Sequence, residues 1–256
     1  MNLQDKVVLV TGASRGVGAA IARELGREGA SVCVNYFRST DLAEKVVSEI
    51  NANGGRAFSH RADVTDLEVV QAMVNSTIGR YGKLDAVVNN ALPSYSFNPS
   101  ASYTHIETVE WDQFERQFQG AVKAAFNTTR AALPHMKKRG YGKIVNIATN
   151  LIYNPVVTYY DYTTAKAALL GLTRNLAAEL GPHGIRVNLV AGGLLHVTDA
   201  SRVTTEEVFE AVARSSPLRR VVTVEEFARA VLFFVSDWSD PVTGQSIAFD
   251  AGLTMA

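Results

Sequence analysis

Residues 7–11 read VVLVT, and the next seven, Gly12-Ala13-Ser14-Arg15-Gly16-Val17-Gly18, lead into a segment with helical spacing of apolar residues from Val17 to Glu28. A short apolar run that stops at a glycine reads as a strand, and the glycine-rich stretch after it as a tight turn opening a helix. The same alternation continues along the chain. Further strands are expected near 31–35, 57–60, 84–89, 143–148, 186–190 and 246–249. Helices are expected near 42–51 and 67–80, over a long segment ending near Lys138, and near 159–180, 206–213 and 224–235. Short strands that alternate with helices imply parallel pairing through right-handed crossovers. The expected fold class is therefore α/β, a doubly wound parallel sheet of seven strands with helices on both faces.

At 256 residues the length suits one large α/β domain spanning 1–256, and no shift in composition marks a second core. Basic and acidic residues cancel at 25 each, so no overall positive field favours nucleic acid or an anionic membrane. A small-molecule partner is expected instead. Cys33 is the only cysteine, which excludes an intrachain disulfide and suits a reducing compartment. Met1 to Lys6 lacks the apolar stretch of a signal peptide, and no later run approaches the ~20 apolar residues of a membrane span. A cytoplasmic location is expected. The five histidines are scattered without metal-ligand spacing, so no metal is expected.

The turn from Gly12 to Gly18 has a chemical use as well as a structural one. Glycines let the backbone approach a pyrophosphate, whose charge is stabilised by the N–H groups and dipole at the helix start. Gly12, Ser14, Arg15, Gly16, Val17 and Gly18 are the candidate phosphate-binding residues. The second strand runs out into Asn35-Tyr36-Phe37-Arg38-Ser39, with no carboxylate to hold an adenosine ribose diol. Arg38 and Arg15 can instead form charge-assisted bonds to a 2′-phosphate. The expected cofactor is NADP(H), with Tyr36 and Ser39 in the same turn.

Tyr162 and Lys166 stand four residues apart, one helical turn, on one face of the helix expected over 159–180. A tyrosine with its usual pKa near 10 is a poor base, and moving it to about 7 takes roughly 4 kcal/mol of differential stabilisation. Lys166 and a cationic nicotinamide are the expected sources of it. In the reductive direction Tyr162 would protonate a carbonyl oxygen as hydride reaches the carbon.

The TGxxxGxG turn together with the YxxxK pair resembles the short-chain dehydrogenase/reductase family, a Rossmann-fold family, and the resemblance runs from Lys6 to Gly252. It implies that Thr149, thirteen positions before Tyr162, hydrogen-bonds the substrate oxygen. It implies that Asp63 and Val64 contact the adenine, although Asp63 reads equally as a cap for the helix that follows. Asn90, Ala91, Gly193 and Thr198 are implied at the nicotinamide end of the cofactor. Several positions depart from the family pattern. Leu92 replaces a glycine, and Ala121 replaces the asparagine that anchors a proton relay. Gly192-Gly193 replaces Pro-Gly, which is expected to loosen the turn. Val197 replaces a threonine, so Thr198 serves only if the loop shifts by one residue.

Tyr159 stands seven residues before Lys166, the spacing that resembles enoyl reductases of the same broad family. Tyr162 is favoured because Thr149 falls at the matching distance and Tyr159 lies a turn farther from Lys166. The long loop 92–108 carries Pro93, Tyr95, Phe97, Pro99 and Tyr103, aromatics suited either to wall an apolar substrate or to pack among themselves or on a neighbouring subunit. Segment 194–218 is a candidate lid. The pattern resembles most closely the bacterial 3-oxoacyl-(acyl-carrier-protein) reductases, which implies carrier-protein docking at Arg139 and at His183, and a homotetramer. The expected activity is NADPH-dependent reduction of a ketone, most nearly a 3-oxoacyl thioester. An enoyl-thioester reductase using Tyr159 and a non-catalytic NADP-binding regulatory protein stand as alternatives.

Overall fold

A computed structural model describes residues 3–95, 97–98, 101–196 and 204–255. The expected alternation is present in order: β1 (Val7–Val10), α1 (Gly16–Arg27), β2 (Ser31–Tyr36), α2 (Thr40–Ala52), β3 (Arg56–Arg61), α3 (Leu67–Tyr81) and β4 (Ala86–Asn89). After these come α4 (Trp111–Gln117), α5 (Ala124–Arg139), β5 (Gly142–Thr149), α6 (Tyr160–Leu180) and β6 (Ile185–Gly192). The chain continues through β7 (Leu195–His196), α7 (Glu206–Ser215), β8 (Val222–Thr223), α8 (Val224–Val235) and β9 (Ser246–Phe249). Seven strands form one parallel sheet in the order β3-β2-β1-β4-β5-β6-β9.

The apolar strands place alternate side chains on opposite faces, as a period of two requires. Val8, Val10, Val32 and Val34 join the core under α1, α2 and α8, with Ile21, Leu25, Ile50 and Phe227. Val7, Leu9, Cys33 and Val87 face the other layer, built by Met73 and Val74 of α3, Met136 of α5 and Leu180 of α6. Chain order reverses between β1, paired with β2 on one side, and β4 on the other. Parallel doubly wound sheets bind ligands outside the carboxyl ends of the strands at such a reversal. A buried polar chain locks the neighbouring strands. Asn89 Nδ2 donates to Asn146 Oδ1 at 2.9 Å, Asn146 Nδ2 donates to Thr173 Oγ1 at 2.8 Å, and the Thr128 hydroxyl donates to Asn89 Oδ1.

Three local features differ from the sequence reading. The long helix is interrupted by a π turn over Phe118–Lys123, between α4 and α5. Its Gly120 lies against Pro93 of the preceding loop, and a Cβ there would stand 2.3 Å from the Pro93 ring. Wide turns of this kind recur at functional sites. Next, β7 and β8 pair in parallel as a separate two-stranded sheet, too short to show any periodicity. Finally, Gly192-Gly193 is a closely packed turn rather than a loose one. A Cβ on Gly192 would meet the Phe227 ring at 3.1 Å, and one on Gly193 would meet Asp250 Cβ at 2.7 Å. Among the described residues no helix is long and apolar enough to cross a membrane.

Candidate active site

At the carboxyl end of β1 the chain turns at Gly12, whose φ of +61° lies in the left-handed region. Gly18, in the first turns of α1, has no room for a side chain: a Cβ there would stand 2.5 Å from both Asn90 Nδ2 and Gly12 O. Asn90 Nδ2 donates to Thr11 O at 2.9 Å and Gly12 O at 3.1 Å, while Thr11 Oγ1 accepts from the N–H groups of Asn90 and Ala91, each at 3.0 Å. From the other side Asn35 Oδ1 accepts from Gly12 N at 3.1 Å, and Asn35 Nδ2 donates to Ala62 O. The turn is thus held from the ends of β2 and β4, with Asn35 itself fixed by the chain just after β3. Arg15 caps α1 in extended conformation without a side-chain cap, and no acidic residue stands in the first turn. That leaves the helix start open to an anion, with its N–H groups and dipole aligned, as a dinucleotide pyrophosphate requires.

The structure brings Arg15 to the β2 turn, where its Nη2 donates to Ser39 Oγ at 3.2 Å. Arg38 is exposed beside Phe37, its guanidinium 5.5 Å from the ring centroid. Tyr36 is buried at the strand end. Asp63 does not cap α3: its Oδ1 accepts from Thr65 N at 2.9 Å and Thr65 Oγ1 at 2.7 Å, and the cap is Asp66, which accepts from Glu68 N and Val69 N. Two carboxylates three residues apart compete for that role, and Asp66 directly precedes the helix. Val64 is buried, with its carbonyl accepting from Asn127 Nδ2 at 3.0 Å. Thr198 and Val197 lie outside the described residues.

Thr149 closes β5 in register with Gly192 of β6, and its Oγ1 accepts from Leu151 N at 3.3 Å. Tyr162 and Lys166 face it from α6, both buried. The Lys166 ammonium stands 6.0 Å from the Tyr162 ring centroid and donates to Ile147 O at 2.7 Å. Burial lowers the Lys166 pKa to about 8. Burial pushes the phenol well above its ordinary value, and only a hydrogen bond with Thr149 opposes it. A phenol so placed is protonated at neutral pH, because burial withholds the water that would solvate a phenolate.

Thr149, Tyr162 and Lys166 line one cavity of about 300 Å3, into which Val17, Asn90, Gly193, Leu92 and Phe97 also project. Its wall is otherwise largely aliphatic, with Leu151, Val156, Leu194 and, from α7, Val208 and Val212. Segment 194–218 therefore contributes to the wall through Leu194, Leu195, Thr204, Val208 and Val212. Of the loop aromatics, Phe97 reaches the cavity, whereas Tyr95 and Tyr103 pack behind it with Tyr159 and Tyr162. Tyr159 also borders the cavity, but its ring is held by Phe97 at 5.5 Å, Tyr95 at 6.0 Å and Tyr103 at 6.2 Å. Ala121 is buried in the π turn among Ala125, Ala148, Ala165 and Leu169, so an apolar contact stands where the relay asparagine was expected.

Two features escaped the sequence reading. Asn35 carries no local signal, since its role depends on Gly12 and Ala62 arriving from elsewhere. The Asp161 carboxylate, immediately before Tyr162, accepts from the Tyr95 hydroxyl at 2.8 Å. Arg139 and His183 are not brought to the cavity. Arg139 donates to Leu84 O and to Asp85 Oδ1 at 2.8 Å beside the start of β4, and His183 lies just before β6. Both sit at the amino ends of the strands, opposite the cavity.

The family profile described as enoyl-(acyl carrier protein) reductase matches residues 12–254. The chain is 36% identical over 252 residues to the 3-oxoacyl-(acyl-carrier-protein) reductase FabG of Staphylococcus aureus, covering 98% of both chains. It is also 36% identical over 262 residues to versicolorin reductase stcU of Emericella nidulans, covering 98% of this chain and 96% of that one. Among solved structures, a short-chain type dehydrogenase/reductase from Mycobacterium ulcerans superposes with a TM-score of 0.90 at 29% identity, covering 99% of this chain and 91% of that one. A dehydrogenase/reductase from Sinorhizobium meliloti superposes with a TM-score of 0.88 at 33% identity, covering 99% and 97%.

Proposed function

This chain belongs to the short-chain dehydrogenase/reductase family of oxidoreductases, and from that premise we propose that it is an NADPH-dependent ketone reductase. The observation that carries this reading is the shared cavity, in which Tyr162, Lys166 and Thr149 meet Val17 and Asn90 of the glycine-turn region. The turn from Gly12 to Gly18 would hold the pyrophosphate, and Arg15, Arg38 and Ser39 the 2′-phosphate. When bound, the reduced nicotinamide supplies hydride to the carbonyl carbon. Thr149 donates a hydrogen bond to the carbonyl oxygen, orienting it and stabilising the charge that develops there. Tyr162 then passes its phenolic proton to that oxygen. Lys166, as an ammonium, would lower the cost of the phenolate that remains and would contact the bound cofactor. With Ala121 in place of asparagine, reprotonation of Tyr162 does not use a side-chain anchor at that position.

The apolar wall suits a substrate whose body is uncharged, and the likeness to the Staphylococcus aureus reductase supports a 3-oxoacyl thioester. Delivery on acyl carrier protein belongs to this proposal, without Arg139 and His183 at the cavity. Homotetramer assembly belongs to it too. Trp111 and Phe126 are exposed on α4 and α5, where helices of two subunits would pack. The profile description and the position of Tyr159 on the cavity favour one second reading, an enoyl-thioester reductase.

The deciding experiment follows NADPH oxidation across β-ketoacyl thioesters, enoyl thioesters, small and polycyclic ketones, quinones and pterins. Preferential turnover of acetoacetyl thioester, lost in Tyr162→Phe and kept in Tyr159→Phe, supports the proposal. The reverse pattern on enoyl substrates replaces it with the second reading. NADPH binding without turnover of any of them would leave a regulatory protein.

A further inference from the structure

Tyr162 is held by rings as well as from within its helix. The Tyr95 ring stacks on it with centroids 5.2 Å apart and planes 25° from parallel. Phe97 meets it edge-on at 5.0 Å. Tyr95 does not line the cavity, whereas its ring contacts Tyr162 directly.

What fixes Tyr95 is a buried carboxylate. Its hydroxyl donates to Asp161 Oδ1 at 2.8 Å, and the same oxygen accepts from Tyr162 N at 2.7 Å. Asp161 is 3% exposed, in the first turn of α6, where helix N–H groups and dipole favour a negative charge. Burial pushes the Tyr95 pKa far up and raises that of Asp161, so Tyr95 remains the donor. The loop that carries Tyr95 is anchored at two other points: Pro93 seats against Gly120 of the π turn, and Thr158 Oγ1 donates to Thr104 O at 2.7 Å. One oxygen atom thus ties the loop ring to the backbone of the residue it stacks on.

We propose that Tyr95 and Asp161 are a positioning couple for the Tyr162 phenol: the stacked ring sets the plane of Tyr162, and the Tyr95–Asp161 hydrogen bond keeps that ring in register. This rests on the reading of Tyr162 as the proton donor. Small displacements of a reacting group are costly, since about 1 Å can lower a rate by ~100-fold. A residue that acts only through Tyr162 changes kcat and leaves substrate and cofactor binding alone. It also changes how far Tyr162 is shielded from water, which is the cause of its raised pKa. The titratable groups packed around Tyr162 among the described residues are Tyr95, Tyr103, Tyr159, Asp161 and Lys166.

The test measures steady-state ketone reduction, and alcohol oxidation against pH, in Tyr95→Leu, Tyr95→Phe and Asp161→Asn. Removing the ring in Tyr95→Leu is expected to lower kcat roughly tenfold with KM and the NADPH Kd within about twofold. It should also move the alkaline limb of alcohol oxidation to lower pH, because water then reaches the phenol. Tyr95→Phe keeps the stack but loses the hydrogen bond to Asp161, so it should retain roughly a third of kcat with an unmoved limb, and Asp161→Asn, which accepts from Tyr95 only as a neutral amide, should fall between that variant and wild type. Wild-type kcat and an unmoved limb in Tyr95→Leu overturn the proposal, as does a rise in KM at constant kcat. If Tyr95→Leu does not fold, full kcat in Tyr95→Phe overturns it. Tyr162→Phe is run alongside. If that variant keeps its turnover, the reading of the site has failed; if it is inactive while Tyr95→Leu is normal, only the positioning couple has.

Discussion

Around the β1 turn the functional backbone is fixed by hydrogen bonds, with Thr11, Asn35 and Asn90 gripping Gly12 and its neighbours from three strands. Around the β5 and β6 ends the proposed proton donor is fixed chiefly by packing, with Tyr162 between rings, while the buried Lys166 is held by one hydrogen bond to Ile147 O. The contrast follows from what each end handles. A pyrophosphate is met by main-chain N–H groups, so the peptide planes must be aimed, and hydrogen bonds aim them. In the proposed reaction a carbonyl oxygen would be met by one phenol and one hydroxyl, and the phenol's protonation depends on how much water it sees. One end should therefore fail in binding and the other in turnover.

The sharpest break is Tyr162→Phe, expected to lower kcat by about 1,000-fold or more with NADPH affinity nearly unchanged, as fluorescence titration would show. Gly18→Val attacks the other end. Its side chain would enter space held by Asn90 and Gly12, so NADPH affinity should weaken by roughly 100-fold and the melting temperature should fall, while any residual turnover still depends on Tyr162. Arg38→Ala should cut the preference for NADPH over NADH about tenfold, measured as the ratio of kcat/KM values, if its guanidinium meets the 2′-phosphate.

A pH series sharpens the packed end. Burial depresses Lys166 to about 8, so its charge is present below that pH and lost above it. Reductive kcat/KM should be flat below about pH 7 and should fall close to tenfold for each unit above about 8. Lys166→Arg, charged throughout, should remove that fall. The smallest expected effect is on the scaffold that both ends share. Asn146→Ala breaks the buried chain from Asn89 to Thr173 and should cost about 1–3 kcal/mol in urea unfolding, with cofactor affinity and turnover little changed.

How much of this could be read from residue order varied with the distance over which each feature is built. The glycine turn, the strands flanking it and the Tyr162–Lys166 face each lie within a few consecutive positions, where spacing alone states the geometry. The bounds of α8 and β9 came out as read, because strong apolar patterns bracket them. The π turn did not, since it depends on Pro93 reaching Gly120 across the loop between them. Tyr95 was legible as one aromatic among several in a long loop. That it packs on Tyr162 rather than lining the cavity depends on Asp161, 66 positions away.

Residue order alone determined the layered α/β architecture, the phosphate-binding turn and which two side chains share a helix face. These follow from periodicity and from glycine's freedom, both local properties of a chain. The tertiary structure decided which way each of those side chains titrates. Solvent exclusion at Tyr162 and Lys166 is made by rings and strands from distant segments, and it pushes the phenol up and the amine down, which spacing alone does not state.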